Sequence, residues 1–539
     1  DRPFARHLIY HNKVTDSLLS ANDWGGIETW QGGPFYLYNN ISGNPNGYWN
    51  WAYQPKGKEN SGRLGCAYYL DGSSKNYLFN NVAWGNNNDL SSPLCNHGAF
   101  TEATPTIENA YFNNTIHKFA VGSYFSPAGG RHLYLGNLWM DISSWVFNHG
   151  QLKEDVNSPT PPAYPHFSIA YGRNVFYDIA TNRLAVFEAS GTPHAGLDAF
   201  KQALAKAGSL CADAGVMATS SPVRNAAARD FIPSPGSPAI DYGAKVFVPW
   251  ALYATVGEWH FRRNNADPSI LIDNHWNMTP YRADRGADHM VPTCPLTAVN
   301  VSKDDYAPGT LENWTDGALR FNGKDQYAVA RHAEMTKPYH YSTTIAGEFT
   351  RLTAEGSQLS TPDIDAHNFL IELYFRTAPG RTASVLVAKA ADAGYRLALN
   401  NAGGITLMLT AGRRHSLLVS NLPVNDGGWH HVIAETDRAK GMMTLYVDGR
   451  AVADERIALA AGASLSNTGD LYVARGPEGH YFEGEIDFLR IARGTLADAH
   501  TTIGELYDWE FAGPFLRDFA GRPAAGKCRD AGAFEAPLQ

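Results

Sequence analysis

A short apolar run closed by asparagine returns six times in the first 182 residues, and this repeat constrains the fold more than any other feature of the chain. The copies read HLIYHNKVTD (7–16), FYLYNNISGN (35–44), NYLFNNVAWG (76–85), NAYFNNTIHK (109–118), HLYLGNLWMD (132–141) and, more loosely, RNVFYDIATN (173–182). Each alternates aromatic and branched residues, which suits a strand. Each then reaches Asn, which tolerates the left-handed backbone of a tight corner. Asn12, Asn40, Asn81, Asn114 and Asn137 are 28, 41, 33 and 23 residues apart. These intervals predict one structural coil per repeat, with loops of variable length on one side. Stacking would set the Asn side chains in a ladder, each satisfying its neighbour's backbone.

On these phrases the first part resembles the right-handed parallel β-helix of carbohydrate-active enzymes, the pectate-lyase-like glycoside hydrolases. DFIPSPGSPAIDYGAKV (230–246) resembles their closing phrase. Between the two, HAGLDAFKQALAKAGSL (194–210) repeats Leu197, Phe200, Leu204 and Ala207 at helical spacing. From about residue 291 the pattern changes to alternating strands. Gly428-Trp429-His430-His431-Val432, Leu445-Tyr446-Val447-Asp448-Gly449 and Glu485-Ile486-Asp487-Phe488-Leu489-Arg490-Ile491 make this region resemble the laminin-G-like, concanavalin-A-type jelly roll. The expected architecture is all-β: a right-handed parallel β-helix over 1–246, an irregular strap over 247–290, a jelly roll over 291–510, and a tail over 511–539 packing back on the β-helix. The first repeat starts within ten residues of Asp1, which leaves no room for a capping coil, so the chain is expected to be the C-terminal part of a longer protein.

Charge narrows the partners. The net charge of −9 is spread without a basic stripe, which makes nucleic acid and anionic membranes poor candidates. No run approaches the roughly 20 apolar residues that span a bilayer. Five cysteines are too few for a disulfide scaffold and lack metal-site spacing. Cys294 and Cys528 could pair across the second half; the alternative is buried thiols. The resemblance implies a secreted or periplasmic bacterial protein with an oligosaccharide or polysaccharide partner.

The densest polar and aromatic stretch lies at 20–33, 47–57 and 65–76. Glu28 falls twelve residues before Asn40, Asp71 ten before Asn81, and Glu102 twelve before Asn114. In coils about 4.8 Å apart these three acids are expected to line one face. Asp23 stands beside them as a fourth candidate. Paired carboxylates serve glycoside hydrolysis, and their crowding separates acid from base. Trp24, Trp30, Trp49, Trp51 and Tyr69 offer flat faces to sugar rings. Lys75 and Arg63 read either as charge partners for the acids or as solvated cations, and His97 either as an aid to the leaving group or as a turn cap. Each acid has a plainer reading as a turn cap or exposed charge, and Asp71 sits in a turn-forming Leu-Asp-Gly.

Two other functions compete with glycoside hydrolysis. A polysaccharide lyase would use Arg63, Lys75 or His97 as the base, with calcium held by Asp23, Asp71 and Glu102. A non-catalytic glycan-binding or adhesive module would bind sugar with the aromatic loops, its acids only hydrogen-bonding hydroxyls. The sequence lacks both a dense acidic calcium nest and the Gly-His-Gly string with paired aspartates, and hydrolysis is favoured over elimination. Hydrolysis requires no cofactor and no metal ligands are assigned, whereas calcium is compatible with elimination. In the sandwich, Asp325, Tyr327, Asp437 and His480 are weak sugar or calcium contacts. His430 and His431 read as structural, one facing inward and one outward.

Overall fold

The computed structural model describes residues 6–19, 24–47, 65–73, 75–92, 95–103, 106–107, 109–126, 129–130, 132–149, 169–180, 182–186, 192–207, 209, 211–262, 271–278, 296–311, 317–335, 338–345, 348–355, 362–381 and 383–537. The repeats pair in parallel. His7–Tyr10, Phe35–Tyr38, Tyr77–Phe79, Ala110–Phe112, Leu133–Leu135 and Ala170–Gly172 form one sheet, each strand beside the next copy. Past the corner, Lys13–Thr15, Ile41–Gly43, Val82–Trp84, Thr115–Ser126, Leu138–Asn148, Asn174–Ile179 and Gly215–Met217 form a second. Trp24–Gly32, Gly65–Ser73 and Gly98–Ala103 join that sheet through Thr115–Ser126.

The corner explains the repeated asparagine. The residue before the ladder position (His11, Asn39, Asn80, Asn113, Gly136 or Arg173) has φ of 51–65°, in the left-handed region. The next residue then turns its amide inward. Asn81 Oδ1 accepts from the backbone N–H of Asn40 at 3.1 Å, and Asn81 Nδ2 donates to the Leu37 carbonyl at 2.8 Å. The same exchange runs from Asn12 through Asn40, Asn81, Asn114 and Asn137 to Asn174. The sixth copy is out of phase with the expectation: its strand is Ala170–Gly172 and its corner Arg173, so NVFYD lies beyond the turn. A second ladder of Asn76, Asn109 and His132 stands at the strand starts.

Aromatic side chains at one register stack along the sheet. Tyr10, Tyr38, Phe79 and Phe112 form a column with centroids 5.0, 5.0 and 5.1 Å apart. On the inner side Tyr111, Tyr134 and Tyr171 repeat the pattern at 4.8 and 5.5 Å. Each stacked pair adds about 0.5–1.5 kcal/mol beyond its burial.

Other segments cover two of the outer faces. Residues 246–251 with Trp509 and Phe515 lie over Tyr36, Tyr77 and Phe112. Phe231, Ala239, Ala531 and Ala533 lie over Val82, Leu138 and Val175. The C-terminal tail is pinned there by Asn80 Nδ2 on the Arg517 carbonyl, 2.7 Å, and by the Ala533 N–H on Thr115 Oγ1, 2.9 Å. The helix Leu197–Ala207 buries Phe200 and Leu204 against the inner core.

The C-terminal half is a jelly roll of two antiparallel sheets. Thr255–His260, Glu483–Ala492, Phe369–Thr377, Trp429–Asp437 and Met442–Val447 run side by side in one sheet. Leu296–Val299, Tyr327–Ala330, Leu471–Val473, Val385–Ala390, Ala393–Leu399 and Ile405–Ala411 make the other. Phe321, Phe375, Leu397, Leu407, Val432 and Ile486 fill the space between them.

The strap expected to be irregular is in part regular. Thr255–His260 is a strand of the first sheet, and Leu271–Met278 bridges it to Leu296–Val299. All six residues of Thr255–His260 are buried, so no in-and-out alternation marks it. A further helix, Ile503–Ala512, lies outside the sequence expectation; Thr502 and Glu505 form its capping box. Cys528 is a free thiol bonded to the Asp241 carbonyl at 2.8 Å, whereas Cys294 lies outside the described residues.

Candidate functional site

Parallel register fixes which candidate residues share a face. Glu28 stands opposite Tyr69, and Tyr69 opposite Thr101; Trp30 stands opposite Asp71, and Asp71 opposite Ala103. With side chains alternating at every residue, Glu28, Trp30, Tyr69 and Asp71 fall on one face. One strand spacing and a two-residue offset place the Glu28 and Asp71 backbones about 8 Å apart. Both acids are half-buried. Glu28 accepts a hydrogen bond from the Gly25 N–H at 3.3 Å. On the same strand as Glu28, Trp24 and Trp30 are 53% and 67% exposed, a large apolar area for a solvent-facing sheet. Tyr69 is buried in the row between Glu28 and Thr101.

Glu102 does not join them. It pairs with Leu70, on the opposite face, and is enclosed in the core. There it accepts from the Tyr111 hydroxyl at 2.5 Å and Asn109 Nδ2 at 3.1 Å, and meets His132 Nε2 at 3.1 Å. His132 Nδ1 accepts the Asn109 N–H, which leaves Nε2 as the ring nitrogen beside Glu102. The expectation of three acids on one face is therefore corrected. Glu28 and Glu102 both lie twelve residues before a ladder Asn yet face opposite ways, because every such count crosses a break between strands and the breaks do not keep side-chain parity alike.

The remaining candidates scatter. His97 precedes Gly98, which pairs with Cys66 five residues before Asp71. At about 3.3 Å per residue that is roughly 16 Å along the strands, too far for joint action with Asp71. Burial pushes the His97 imidazole down to about 4, and its Nδ1 has no hydrogen-bond partner among the described residues. Lys75 is buried at a corner, with φ of 62°. Asp23, Trp49, Trp51 and Arg63 lie outside the described residues. In the jelly roll Asp325 caps a turn with Asn322, and Asp437 accepts the Lys440 N–H.

Sequence reasoning missed a buried charge node where the two halves of the chain meet. Glu258, Arg490 and Glu372 stand side by side on three adjacent strands. Arg490 Nε donates to Glu372 Oε2 at 2.8 Å, while its other nitrogens reach Glu258 at 3.3 Å, Glu510 at 3.1 Å and the Trp250 carbonyl at 2.8 Å. His431 Nε2 lies 2.8 Å from Glu372 Oε1, facing away from the sandwich core but sealed by the helix Ile503–Ala512. His430 instead bonds Asp448 at 2.9 Å.

Burial alone would raise the Glu372 carboxyl, but Arg490 and His431 override it and hold it at about 2. Glu510 is pushed well above the usual carboxylate range, first by burial and then by the charge of Glu372. Glu372, His431 and Glu510 also offer three ligand atoms within 4.8 Å of one another, a set that could hold a metal. Arg490 already supplies the positive charge there, and the arrangement is that of an ion-pair node. Around it, the Tyr36 hydroxyl donates to the Pro249 carbonyl and Trp509 Nε1 to the Val248 carbonyl, each tying the segment 246–251 into the junction.

Residues 353–500 match the family model Laminin_G_3, described as the concanavalin A-like lectin/glucanases superfamily. The C-terminal half thus carries a concanavalin-A-like jelly-roll domain. No curated protein matches the chain. Among solved structures, the binding domain of Paraclostridial Mosquitocidal Protein 1 is 14% identical over 38% of this chain and 49% of that one, with a TM-score of 0.25. The chain thus spans about half of that structure's length. The CBM40 of the Ruminococcus gnavus IT-sialidase bound to alpha2,3 sialyllactose is 15% identical over 26% of this chain and 83% of that one, with a TM-score of 0.22. The SAP-like pentraxin of Limulus polyphemus is 12% identical over 27% and 70%, with a TM-score of 0.22.

Proposed function

We propose that the protein is a secreted or periplasmic glycoside hydrolase whose parallel sheets form a right-handed β-helix, with its active face at Glu28 and Asp71. One observation carries this reading: register puts the two acids on a single face, one strand and two residues apart, beside exposed Trp24 and Trp30. A backbone spacing of about 8 Å leaves room for carboxyl groups at the roughly 6.5–9.5 Å used by inverting glycosidases, where a water sits between base and sugar. One carboxyl protonates the leaving oxygen and the other takes a proton from that water. The tryptophan rings supply the stacking surface that holds the sugar.

The jelly roll supports glycan handling through its family, whose description joins lectins and glucanases. Its role is to bind or buttress, and residues 255–260 and 271–278 belong to it. Hydrolysis by two carboxylates needs no metal. The test is a panel of plant and algal polysaccharides incubated with the purified chain and a chelator, read by reducing ends and by ultraviolet absorbance of unsaturated products. Hydrolysis raises reducing ends alone. Rising absorbance would replace it with elimination, and retention on a polysaccharide without either signal would leave a binding module.

A further inference from the structure

On the outer face of the second jelly-roll sheet, far in sequence from Glu28 and Asp71, a guanidinium stands inside a ring of three tyrosines. Arg475 Cζ lies 4.8 Å from the centre of the Tyr327 ring, 5.1 Å from Tyr472 and 5.3 Å from Tyr481. Local structure builds the collar. Ala328, Ala330, Leu471 and Val473 point into the core, which turns Tyr327 and Tyr472 outward on paired strands. Ala474 then takes a left-handed φ of 64°, and a tight turn closed by Gly476 and Gly479 brings Tyr481 back beside Arg475.

This cation has no counter-ion among the described residues, and its Nε is shielded from water without a hydrogen-bond partner. The two nearest acids in sequence are already committed. Asp470 accepts from Arg331 at 2.8 Å and from the His332 N–H at 2.8 Å. Glu478 pairs with Arg396. A half-buried cation is ordinarily matched by a carboxylate, and here the aromatic faces alone hold it. Its planar fork of N–H donors fits a carboxylate or sulfate bidentately.

We infer that Arg475 with Tyr327, Tyr472 and Tyr481 is a binding site for an anionic sugar, one carrying a carboxylate or a sulfate ester. The anion site follows from this geometry; that the anion is borne by a saccharide rests on the proposed glycan function. The guanidinium takes the acidic group, and the tyrosine rims contact the sugar ring. The site serves attachment to a charged polysaccharide while the acids of the other domain act elsewhere on the polymer.

The experiment is calorimetric titration of the full chain with oligogalacturonate, sulfated dextran and neutral dextran, for the native sequence and for Arg475→Gln and Arg475→Lys. One or both acidic ligands should bind, with affinity falling as salt rises. Arg475→Gln should weaken that binding at least tenfold. Arg475→Lys should lose most of it too, since an ammonium cannot form the bidentate pair. Which acidic ligand binds tells carboxylate from sulfate. Acidic-ligand affinity unchanged in Arg475→Gln would overturn the site. Inorganic sulfate and acetate, followed through the Arg Nε–H resonances, separate the two parts. A shift of the Arg475 signal with either ion, but no binding of any saccharide, would keep the anion site and overturn its assignment to a glycan. No shift with either ion and no acidic saccharide bound would overturn both.

Discussion

Glu372 and Arg490 face one another across adjacent strands, fully buried, with Nε donating to Oε2 at 2.8 Å. Around this pair close the helix Ile503–Ala512, the segment 246–251 and the outer face of a sandwich sheet. Removing the cation takes away the guanidinium that Glu258, Glu372 and Glu510 share. Arg490→Met should therefore cost about 3–5 kcal/mol, as expected when one partner of a buried ion pair is deleted. Urea unfolding measures it; a loss under 1 kcal/mol would mean that the node contributes little.

Glu510 predicts the opposite sign. Its carboxyl titrates higher in the folded than in the unfolded state, so the folded chain binds the extra proton. The stability linked to it is complete below the ordinary carboxylate pKa and falls away as pH rises toward the raised value. Glu510→Gln keeps an acceptor for the Trp250 N–H and removes that dependence. Its unfolding free energy should match the native chain's at pH 4 and exceed it at pH 8. Equal differences at both pH values would place the Glu510 proton elsewhere.

The asparagine ladder should be graded by burial. Asn81 is fully buried, and its loss strands the Asn40 N–H and the Leu37 carbonyl. Asn81→Ala should cost about 2–6 kcal/mol, at about 1–3 kcal/mol for each buried group left unsatisfied. Asn12 stands exposed at the end of the ladder, and Asn12→Ala should cost less than about 1 kcal/mol. Thermal unfolding of the two variants decides between this and a ladder of equal rungs.

Glu102 separates structure from catalysis. Glu102→Ala leaves the Tyr111 hydroxyl without its acceptor and Asn109 Nδ2 with only the Ser73 carbonyl at 3.4 Å, and should destabilise the fold by about 2–3 kcal/mol. Turnover per folded molecule should stay within twofold of native. A loss of a hundredfold or more in well-folded protein would return Glu102 to the list of catalytic acids.

Much of this architecture is legible in the sequence because the physics is local. An apolar run followed by Asn at a left-handed corner announces itself, and so do the alternating strands around Trp429 and Glu485. Asn174 escapes because its corner residue is Arg173 and its strand Ala170–Gly172 sets one Tyr between Ala and Gly, without the branched or second aromatic residue of the other copies. The face of an acid is less legible: Glu28 and Glu102 both stand twelve residues before a ladder Asn, and the breaks between strands reset the two-residue period differently in each copy. Counting from Asn therefore places Glu28 and Asp71 together yet misplaces Glu102. Glu258, Arg490 and Glu372 come together only through register between strands more than 100 residues apart, which no local pattern encodes. The helix Ile503–Ala512 did carry a readable signal, the Thr502 and Glu505 capping box.

The most direct test of the hydrolase reading is the turnover of Glu28→Gln and Asp71→Asn, measured by reducing-end release on whichever polysaccharide the native chain cleaves, with binding to the same polymer measured in parallel. Both substitutions preserve side-chain size. Each variant should lose at least a thousandfold in kcat while its affinity changes less than threefold. Native-like kcat in both would contradict the assignment and move the chemistry away from this face.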